Sequence, residues 1–377
     1  MQNYTWPTRS GWLLGLAVTL CASGCGSGGS NISTTPTTPF TTTYAYVAVA
    51  GYSYSVGTVA QFQIAGTGTL TPLNPGTVET NVNLGALAID PSGKYLFAVG
   101  SDINGSISQF VIGSDGAITP NSAPSFSSNT FPTSITFTPN GQLAIVTNGA
   151  TLSTYSLSPT GSLVLINTIP TSTNTAISMV VDPSGQFLYV DNEAVSTISE
   201  YSISASGTLT PESTIPAGYL PFMLAISPGG FLYSAELGSG TITQYSINAS
   251  SGALTQLNSF PTGSGAGSGP RCIAFDPTGA YAFVGNVNDG TASQFVVDSA
   301  TGALTRNGPD VPAGGEAMQV AVDPSGRFLF VSNFEPGTVA EFAVNAKGML
   351  TPNGTVSLGQ YGEPFAVVFA PWHAASQ

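Results

Sequence analysis

The sequence predicts an all-β fold, a seven-bladed β-propeller with four strands in each blade. Three observations predict it: a strand pattern that returns seven times, a spacing typical of propeller blades, and two chain ends that complement each other. The chain has 377 residues, and one large propeller accounts for this length without a second domain.

The returning strand begins with Ser or Thr and carries an aromatic residue followed two positions later by an aliphatic one, as in TVAQFQI. Each copy is followed by a glycine turn and a second short strand, as in GTLTP from Gly207. Short strands rich in Val, Ile, Thr, Tyr and Phe, bounded by Gly, Pro, Asn and Asp, exclude a helical solenoid. The seven copies begin at Thr58, Ser106, Thr151, Thr197, Thr241, Thr291 and Thr338.

The spacing comes from a turn of the DPSG type that joins the two strands preceding each copy. Its prolines recur every 44 to 49 residues, which is the period expected for four-stranded propeller blades. These prolines are Pro91, Pro139, Pro183, Pro228, Pro277, Pro324 and Pro371.

The two ends of the repeat region predict how the ring closes. The first repeat begins at Tyr44 with YAYVAVA, which matches the second strand of a blade, and the last strand, PFAVVFAP from Pro364, matches the first strand. The last strand therefore completes the first blade, so that no sheet edge remains open.

The N-terminus is a processing signal and lies outside the predicted fold. Arg9 precedes an apolar stretch, and small residues then lead to Cys25, an arrangement that resembles the lipobox of bacterial lipoproteins. We predict a signal peptide over residues 1–24, a lipidated Cys25 with a Gly/Ser/Thr/Pro tether over 25–43, the propeller over 44–372 and a tail over 373–377. Plain secretion with cleavage elsewhere is the alternative.

The small number of charged residues limits the classes of molecule that the protein can bind. Only 7% of the residues are charged, and the six basic residues, one of them in the signal, face nineteen acidic ones. Nucleic-acid binding needs clustered Lys and Arg and is excluded. No apolar run of the repeat region is long enough to span a membrane, so we expect contact with the membrane through the lipid anchor alone.

Two classes of position should lie on one rim of the ring, because the loops that enter the innermost strands and those that leave the second strands open on the same face. Arg271, Glu316 and Glu363 enter innermost strands of consecutive repeats and are the candidate catalytic residues. The candidate rim residues, which leave second strands, are Asn148, Asn192, Glu236, Asn286 and Asn333.

A structural interpretation stands beside each candidate. Asn at a strand end commonly closes a turn by bonding nearby backbone. Arg271 and Glu316 could form an inter-blade ion pair and nothing more. The acids of the DPSG turns are interpreted as turn-formers on the opposite face, and these are Asp90, Asp182, Asp276 and Asp323.

The repeats resemble those of a known family. The segments YVDN at Tyr189, FVGN at Phe283, FVSN at Phe330 and IVTN at Ile145 resemble YVTN-type repeats. The unit Asp323 to Pro352 is similar to the repeat of the lactonase family of seven-bladed propellers, which includes 6-phosphogluconolactonase. The resemblance implies hydrolysis of a sugar lactone by water, with Glu316 or Glu363 activating the water and Arg271 stabilising the oxyanion.

The chain departs from that family in two respects. Its only histidine, His373, lies in the tail, and its rim has one arginine where a phosphorylated substrate calls for several. A neutral substrate is therefore expected. The leading hypothesis is a monomeric cell-envelope lipoprotein that binds a small molecule or an envelope protein without catalysis, and the alternative is an extracytoplasmic lactone hydrolase.

No cofactor or metal site is predicted, because the chain has no C-x-x-C-H motif, no histidine set, no G-x-S-x-G motif and no P-loop. Cys272 is interpreted as a small buried apolar residue. A calcium site stays open as an alternative because several acids lie in loops leaving second strands. These are Asp102, Asp191, Glu193, Asp289 and Glu335.

Overall fold

The computed structural model describes residues 43–50, 56–80, 84–100, 105–121, 126–127, 132–171, 173, 175–359 and 362–371. The signal peptide, Cys25, the tether up to residue 42, Asp102, Trp372 and His373 lie outside these residues. The described chain forms strands β1 to β30 and one 3₁₀ turn, Glu193–Val195. No helix among the described residues is long and apolar enough to cross a membrane.

Each blade is an antiparallel sheet whose strands follow each other from the channel outwards. Blade 1 consists of β30 (Glu363–Pro371), β1 (Thr43–Ala50), β2 (Thr58–Ile64) and β3 (Leu70–Glu79). Blade 2 consists of β4 (Leu84–Ile89), β5 (Tyr95–Gly100), β6 (Ser106–Ile112), β7 (Ile118–Pro120) and β8 (Phe126–Ser127). Blade 3 consists of β9 (Ser134–Phe137), β10 (Leu143–Thr147), β11 (Thr151–Leu157) and β12 (Leu163–Pro170).

The remaining four blades repeat this order. Blade 4 consists of β13 (Ala176–Val181), β14 (Phe187–Asn192), β15 (Thr197–Ile203) and β16 (Leu209–Pro216). Blade 5 consists of β17 (Pro221–Ile226), β18 (Phe231–Glu236), β19 (Thr241–Ile247) and β20 (Leu254–Pro261). Blade 6 consists of β21 (Pro270–Phe275), β22 (Tyr281–Asn286), β23 (Thr291–Val297), β24 (Leu304–Arg306) and β25 (Val311–Pro312). Blade 7 consists of β26 (Ala317–Val322), β27 (Phe328–Asn333), β28 (Thr338–Val344) and β29 (Leu350–Ser357).

Seven four-stranded blades are confirmed, and the outermost strand is divided into two pieces in blades 2 and 6. In blade 6 the division has a local cause. Gly308 has a φ of +94° and Pro309 has no backbone N–H to contribute to a ladder, so pairing stops after Arg306 and resumes at Val311.

The ring closes as the sequence predicts. β30 pairs antiparallel with β1 from Thr43 opposite Pro371 to Ala50 opposite Glu363. The innermost strands contact one another in sequence around the whole ring, including β30 with β4 and β26 with β30. Both ends of the described chain therefore belong to one sheet.

The DPSG turns owe their shape to the aspartate. Asp182 Oδ1 accepts hydrogen bonds from the backbone N–H groups of Gln186 (2.9 Å) and Phe187 (2.8 Å), and Gly185 has a φ of +74°. Asp90, Asp276 and Asp323 accept equivalent bonds from their own turns. The turn-forming interpretation of these four acids is confirmed.

Neighbouring blades are joined by the Gln or Glu at the centre of the third strand. Gln61 Oε1 accepts a hydrogen bond from Ile118 N of the next blade at 2.9 Å, and Gln294 Oε1 accepts one from Leu350 N at 2.6 Å. Glu341 repeats this contact across the closing junction, from blade 7 to Leu70 N of blade 1, at 2.8 Å. We call these contacts the third-strand clamps. They satisfy buried N–H groups at the start of outermost strands that would otherwise have no partner.

Candidate functional site

Arg271, Glu316 and Glu363 lie at one mouth of the central channel. Arg271 is the second residue of β21, Glu316 immediately precedes β26, and Glu363 begins β30. These three innermost strands are neighbours in the ring. We call the surface formed here by the loops of blades 4 to 7 and blade 1 the Arg271 mouth.

Arg271 is held between two apolar side chains at the same strand position. The second residues of the flanking innermost strands are Phe222 and Met318. The guanidinium carbon lies 4.2 Å from the centroid of the Phe222 ring, and Nη1 lies 2.7 Å from Sδ of Met318. Only 8% of Arg271 is exposed. A cation over a ring face is stabilised by the ring quadrupole, which fixes the orientation of the guanidinium.

The guanidinium has few protein acceptors. Its one hydrogen bond to the described residues goes to the Met318 thioether, and no carboxylate oxygen of those residues lies within 4.0 Å of its nitrogens. A thioether is a weak acceptor, while a guanidinium carries five N–H donors. The inter-blade ion pair of Arg271 with Glu316 is therefore wrong as an explanation of these residues.

Two carboxylates act on Arg271 from further away. Burial lowers the pKa of Arg271 to about 10, while the charges of Glu193 and Glu316, together with the Cys272 thiol, act in the opposite direction. Glu193 belongs to blade 4 and Glu316 to blade 7, so the guanidinium lies between carboxylates from both sides of the mouth.

The other acids extend this cluster towards blade 1. Burial raises the pKa of Glu316 and of Glu363, and in both cases the charge of Glu335 raises it further. Arg271 lowers the pKa of Glu316 but is not among the causes of the Glu363 shift. The predicted trio is thus connected through Glu335, which leaves the second strand of blade 7.

An apolar patch lies beside these charges. Phe334 packs on Phe365 with ring centroids 5.1 Å apart, and Met318 and Val287 are buried in the same cluster with Leu237 packed against it. These side chains come from innermost strands or from the loops that leave second strands. The mouth therefore combines one cation, several carboxylates and an apolar floor.

Asp191 is the one fully buried carboxylate near the mouth whose oxygens are only half satisfied. It is 0% exposed, its Oδ1 accepts a hydrogen bond from Ser178 N at 2.7 Å, and Oδ2 has no partner among the described residues. Burial raises its pKa well above the usual range, against the effect of the Ser178 and Ile177 N–H groups, and Glu193 raises it too.

The five rim residues are hydrogen-bonded to neighbouring loops and strands. Asn286 Nδ2 donates to Thr291 Oγ1 and Ser293 Oγ, and Asn333 Nδ2 donates to Ala313 O. Asn148 and Asn192 donate to hydroxyls in the same way. Glu236 accepts bonds from Gly218 N, Ser239 Oγ and Thr241 Oγ1. Asn192 also bonds nearby backbone oxygens, as the turn-closing alternative expects, whereas the bonds of Asn286 go to hydroxyls. A ligand-binding role for the five residues remains a prediction.

Phe222 and Met318 contact Arg271, and Glu193 acts on it from beyond 4.0 Å; the charge pattern of the sequence predicts none of these three partners. Phe222, Arg271 and Met318 are each the second residue of an innermost strand. Aligning these strands in the sequence would therefore have identified Phe222 and Met318 as neighbours of Arg271. The sequence predicts Glu193 only as a member of the alternative calcium site. No group of three or more His, Cys, Asp or Glu within the described ranges is arranged to hold a metal ion.

Cys272 lies next to Arg271 but faces the neighbouring blade. Its Sγ accepts a hydrogen bond from Val320 N at 3.2 Å, and the side chain is buried. Burial raises the pKa of its thiol to about 11. The interpretation as a buried structural residue fits this environment.

Comparison with models of protein families matches residues 223–319 and 285–364 to the family described as "Lactonase, 7-bladed beta-propeller". The chain is a lactonase-like seven-bladed β-propeller. In this lactonase-like propeller the two matched segments cover most of blades 5 to 7, which include Arg271 and Glu316. A comparison with curated proteins finds no match.

Solved structures share the architecture at low identity. A provisionally assigned 6-phosphogluconolactonase of Bacteroides fragilis superposes with a TM-score of 0.75 and 20% identity, covering 89% of the lactonase-like propeller chain and 99% of its own. The periplasmic gluconolactonase PpgL of Pseudomonas aeruginosa superposes with a TM-score of 0.73 and 20% identity, covering 88% of this chain and 100% of its own. Virginiamycin B lyase of Staphylococcus aureus superposes with a TM-score of 0.51 and 13% identity, covering 71% of this chain and 82% of its own. Identities this low show the fold alone.

Proposed function

We propose that this protein is a lipid-anchored, extracytoplasmic propeller that binds a small, uncharged, polyhydroxylated molecule at the Arg271 mouth without catalysing a reaction. The observation that carries the proposal is the state of Arg271, a buried guanidinium whose single hydrogen bond within the described residues is to a thioether.

Arg271 has N–H groups that are left for a ligand. Only one of its nitrogens bonds to a described residue, and none of them is fully enclosed without a partner, so the others remain accessible from the mouth. A ligand that accepts two or more hydrogen bonds from the guanidinium replaces water there, and hydrogen bonds to a charged group contribute about 1.5–3 kcal/mol each. Phe222 and Met318 hold the group in place before binding, which lowers the entropy lost when the ligand arrives.

The surrounding charges favour an uncharged ligand. Glu193 and Glu316 act on Arg271, and Glu335 acts on Glu316 and Glu363. Two carboxylates acting on the one guanidinium, with two more towards blade 1, repel phosphate or a further carboxylate. A hydroxyl can accept from Arg271 and donate to a glutamate at the same time, so a polyol bridges the gap of more than 4.0 Å between them.

The anchor is supported by the sequence pattern at Cys25, which lies outside the described residues. Lipidation there places the propeller in the cell envelope, attached to the membrane through acyl chains. We propose that the protein acts as a monomer at this location, because its two terminal strands pair with each other inside blade 1 and neither end needs a strand from another subunit.

The test is binding measured by calorimetry on the purified propeller, with simple sugars, aldonolactones and their 6-phosphorylated forms as probes. We expect unphosphorylated probes to bind, the phosphorylated forms to bind at least tenfold more weakly, and Arg271→Met to abolish binding. Arg327→Met, on the opposite face, is the matched control and should bind normally. Equal binding by the Arg271→Met and Arg327→Met variants, or a preference for the phosphorylated probes, would refute the proposal.

A second candidate function is lactone hydrolysis, and the observation that favours it is that Glu316 and Arg271 act on each other electrostatically at the same mouth. The raised pKa of Glu316 suits a general base, and a guanidinium can stabilise the oxyanion that forms when water attacks a lactone carbonyl. Glu363, whose pKa is raised as well, is the alternative base. The ring oxygen then leaves with a proton, and an aldonic acid is released.

Hydrolysis is tested by following acid release from a panel of aldonolactones in a pH-stat. A rate above the uncatalysed reaction that falls at least a hundredfold in Glu316→Gln or Glu363→Gln establishes the enzyme. A rate equal to the uncatalysed one, together with measurable binding, establishes the binding protein.

A further inference from the structure

Tyr219 is an exposed aromatic side chain on the rim of the Arg271 mouth. It lies in the loop that precedes β17, three residues before Phe222, and 63% of it is exposed. On the neighbouring blade Val195, in the 3₁₀ turn that leaves β14, is 51% exposed. The two residues place apolar surface beside the charged part of the mouth.

The backbone next to Tyr219 is strained. Leu220 has a φ of +54°, in the left-handed region that a bulky residue avoids at a cost of about 1–3 kcal/mol. The loop is nevertheless fixed, because Leu220 O accepts a hydrogen bond from Leu237 N at 2.9 Å and Tyr219 O accepts one from Gly238 N at 3.1 Å. Such strain is found where the surrounding structure imposes one particular position.

The ring of Tyr219 lies against a glycine. A Cβ at Gly238 would come within 2.3 Å of Cδ1 and 2.8 Å of Cε1 of Tyr219. Any other residue at position 238 would push the ring away from its present place. The backbone that carries Tyr219 is therefore held by hydrogen bonds, and one side of its ring lies on the backbone of Gly238.

We propose that Tyr219 is a stacking platform for the ligand, and that the ligand is a cyclic sugar or sugar lactone whose C–H face lies on the tyrosine ring. This rests on the proposed function, since it adds the ring shape to a polyhydroxylated ligand. An aromatic face carries partial negative charge and attracts the partly positive hydrogens of a sugar ring. A tyrosine ring has only two side-chain torsions, and this one already lies on Gly238, so it loses little entropy on binding.

Tyr219 and Arg271 then divide recognition between them. Phe222 orients the guanidinium and follows Tyr219 in the same chain segment, so the platform and the cation have a common support. Arg271 and the glutamates contact hydroxyls, which acyclic polyols also have. Tyr219 contacts a ring face, which acyclic polyols lack. Tyr219 is thus the residue that separates cyclic from open-chain ligands.

The experiment measures calorimetric affinities for methyl glycosides and aldonolactones and for the open-chain polyol sorbitol. Tyr219→Ala should weaken the binding of cyclic ligands about tenfold and the binding of sorbitol less than twofold. The affinities of Tyr219→Phe for both kinds of ligand should stay within twofold of the wild type. Gly238→Ala keeps the tyrosine but displaces its ring. It should weaken the binding of cyclic ligands by about as much as Tyr219→Ala does. Leu257→Ala, an exposed residue of an outermost strand, is the control.

The outcomes separate the two proposals. Binding of cyclic ligands that needs Arg271 but is unchanged in Tyr219→Ala refutes the platform and leaves the proposed function intact. No binding of any sugar or lactone by the wild-type protein at millimolar concentration overturns both. The thermal unfolding of Tyr219→Ala should match that of the wild type, because the side chain is exposed, and a lower Tm would show a structural role instead.

Discussion

The third-strand clamp at Glu341 should determine how firmly the ring closes. Glu341 is 3% exposed, and its Oε1 accepts the hydrogen bond from Leu70 N across the junction of blades 7 and 1. Glu341→Ala leaves that buried N–H without a partner, which costs about 2 kcal/mol of unfolding free energy. With an unfolding entropy of about 2.1 cal/mol/K per residue, a propeller of roughly 330 residues should lose about 3 °C in Tm.

Glu341→Gln is the matched control because glutamine already makes this contact at Gln61 and Gln294. We expect it to stay within about 0.5 kcal/mol of the wild type near pH 5. Burial raises the pKa of Glu341 against the effect of the Leu70 N–H group. The folded protein therefore keeps this proton to a higher pH than the unfolded chain does, and wild-type stability falls as pH rises through that window.

The assay is urea unfolding of the three proteins between pH 4 and pH 8, followed by circular dichroism. The advantage of Glu341→Gln over the wild type should grow as pH rises, and Glu341→Ala should be the least stable throughout. The reasoning would be refuted if Glu341→Ala were as stable as the wild type, or if the alanine and glutamine variants lost equal amounts of unfolding free energy.

Two further predictions concern Asp191 and Cys25. Because burial raises the pKa of Asp191, the folded protein keeps the Asp191 proton at pH values where the unfolded chain has lost it. Asp191→Asn should therefore gain stability relative to the wild type as pH rises from 4 to 8, and a pH-independent difference in urea unfolding would contradict this. Cys25→Ser should move the protein from the membrane fraction to the soluble fraction, as judged by immunoblotting of fractionated cells, and unchanged membrane association would exclude the anchor.

The fold could be predicted because each repeat contains its own turn and strand signals. The aspartate and glycine of a turn such as Asp182 to Gly185 determine its shape locally, and seven copies leave few alternatives. Closure was predictable because the chain begins, at Tyr44, with the second strand of a blade and ends, from Pro364, with a first strand. The division of the outermost strand in blade 6 was not predicted, although Gly308 and Pro309 contain the signal.

The site was less predictable because its contacts join distant repeats. Sequence placed Arg271 and Glu316 on one rim, but their separation beyond 4.0 Å depends on side-chain packing that no repeat pattern encodes. The contact of Arg271 with Met318, 47 residues away, needs the ring to be built first. The strain at Leu220 has no sequence signature, since leucine gives no indication of a positive φ.

The register of β1 against β30 determines which face of the ring the N-terminal segment reaches. Ala50 pairs with Glu363 at the Arg271 mouth, so Thr43, at the other end of β1, lies on the opposite face. If Cys25 carries the anchor that we propose, the residues between Cys25 and Thr43 join the propeller on the face away from the mouth, and a Gly/Ser-rich chain of that length has a root-mean-square span of about 25 Å. An anchor attached there would leave the Arg271 mouth open to ligands from the solvent.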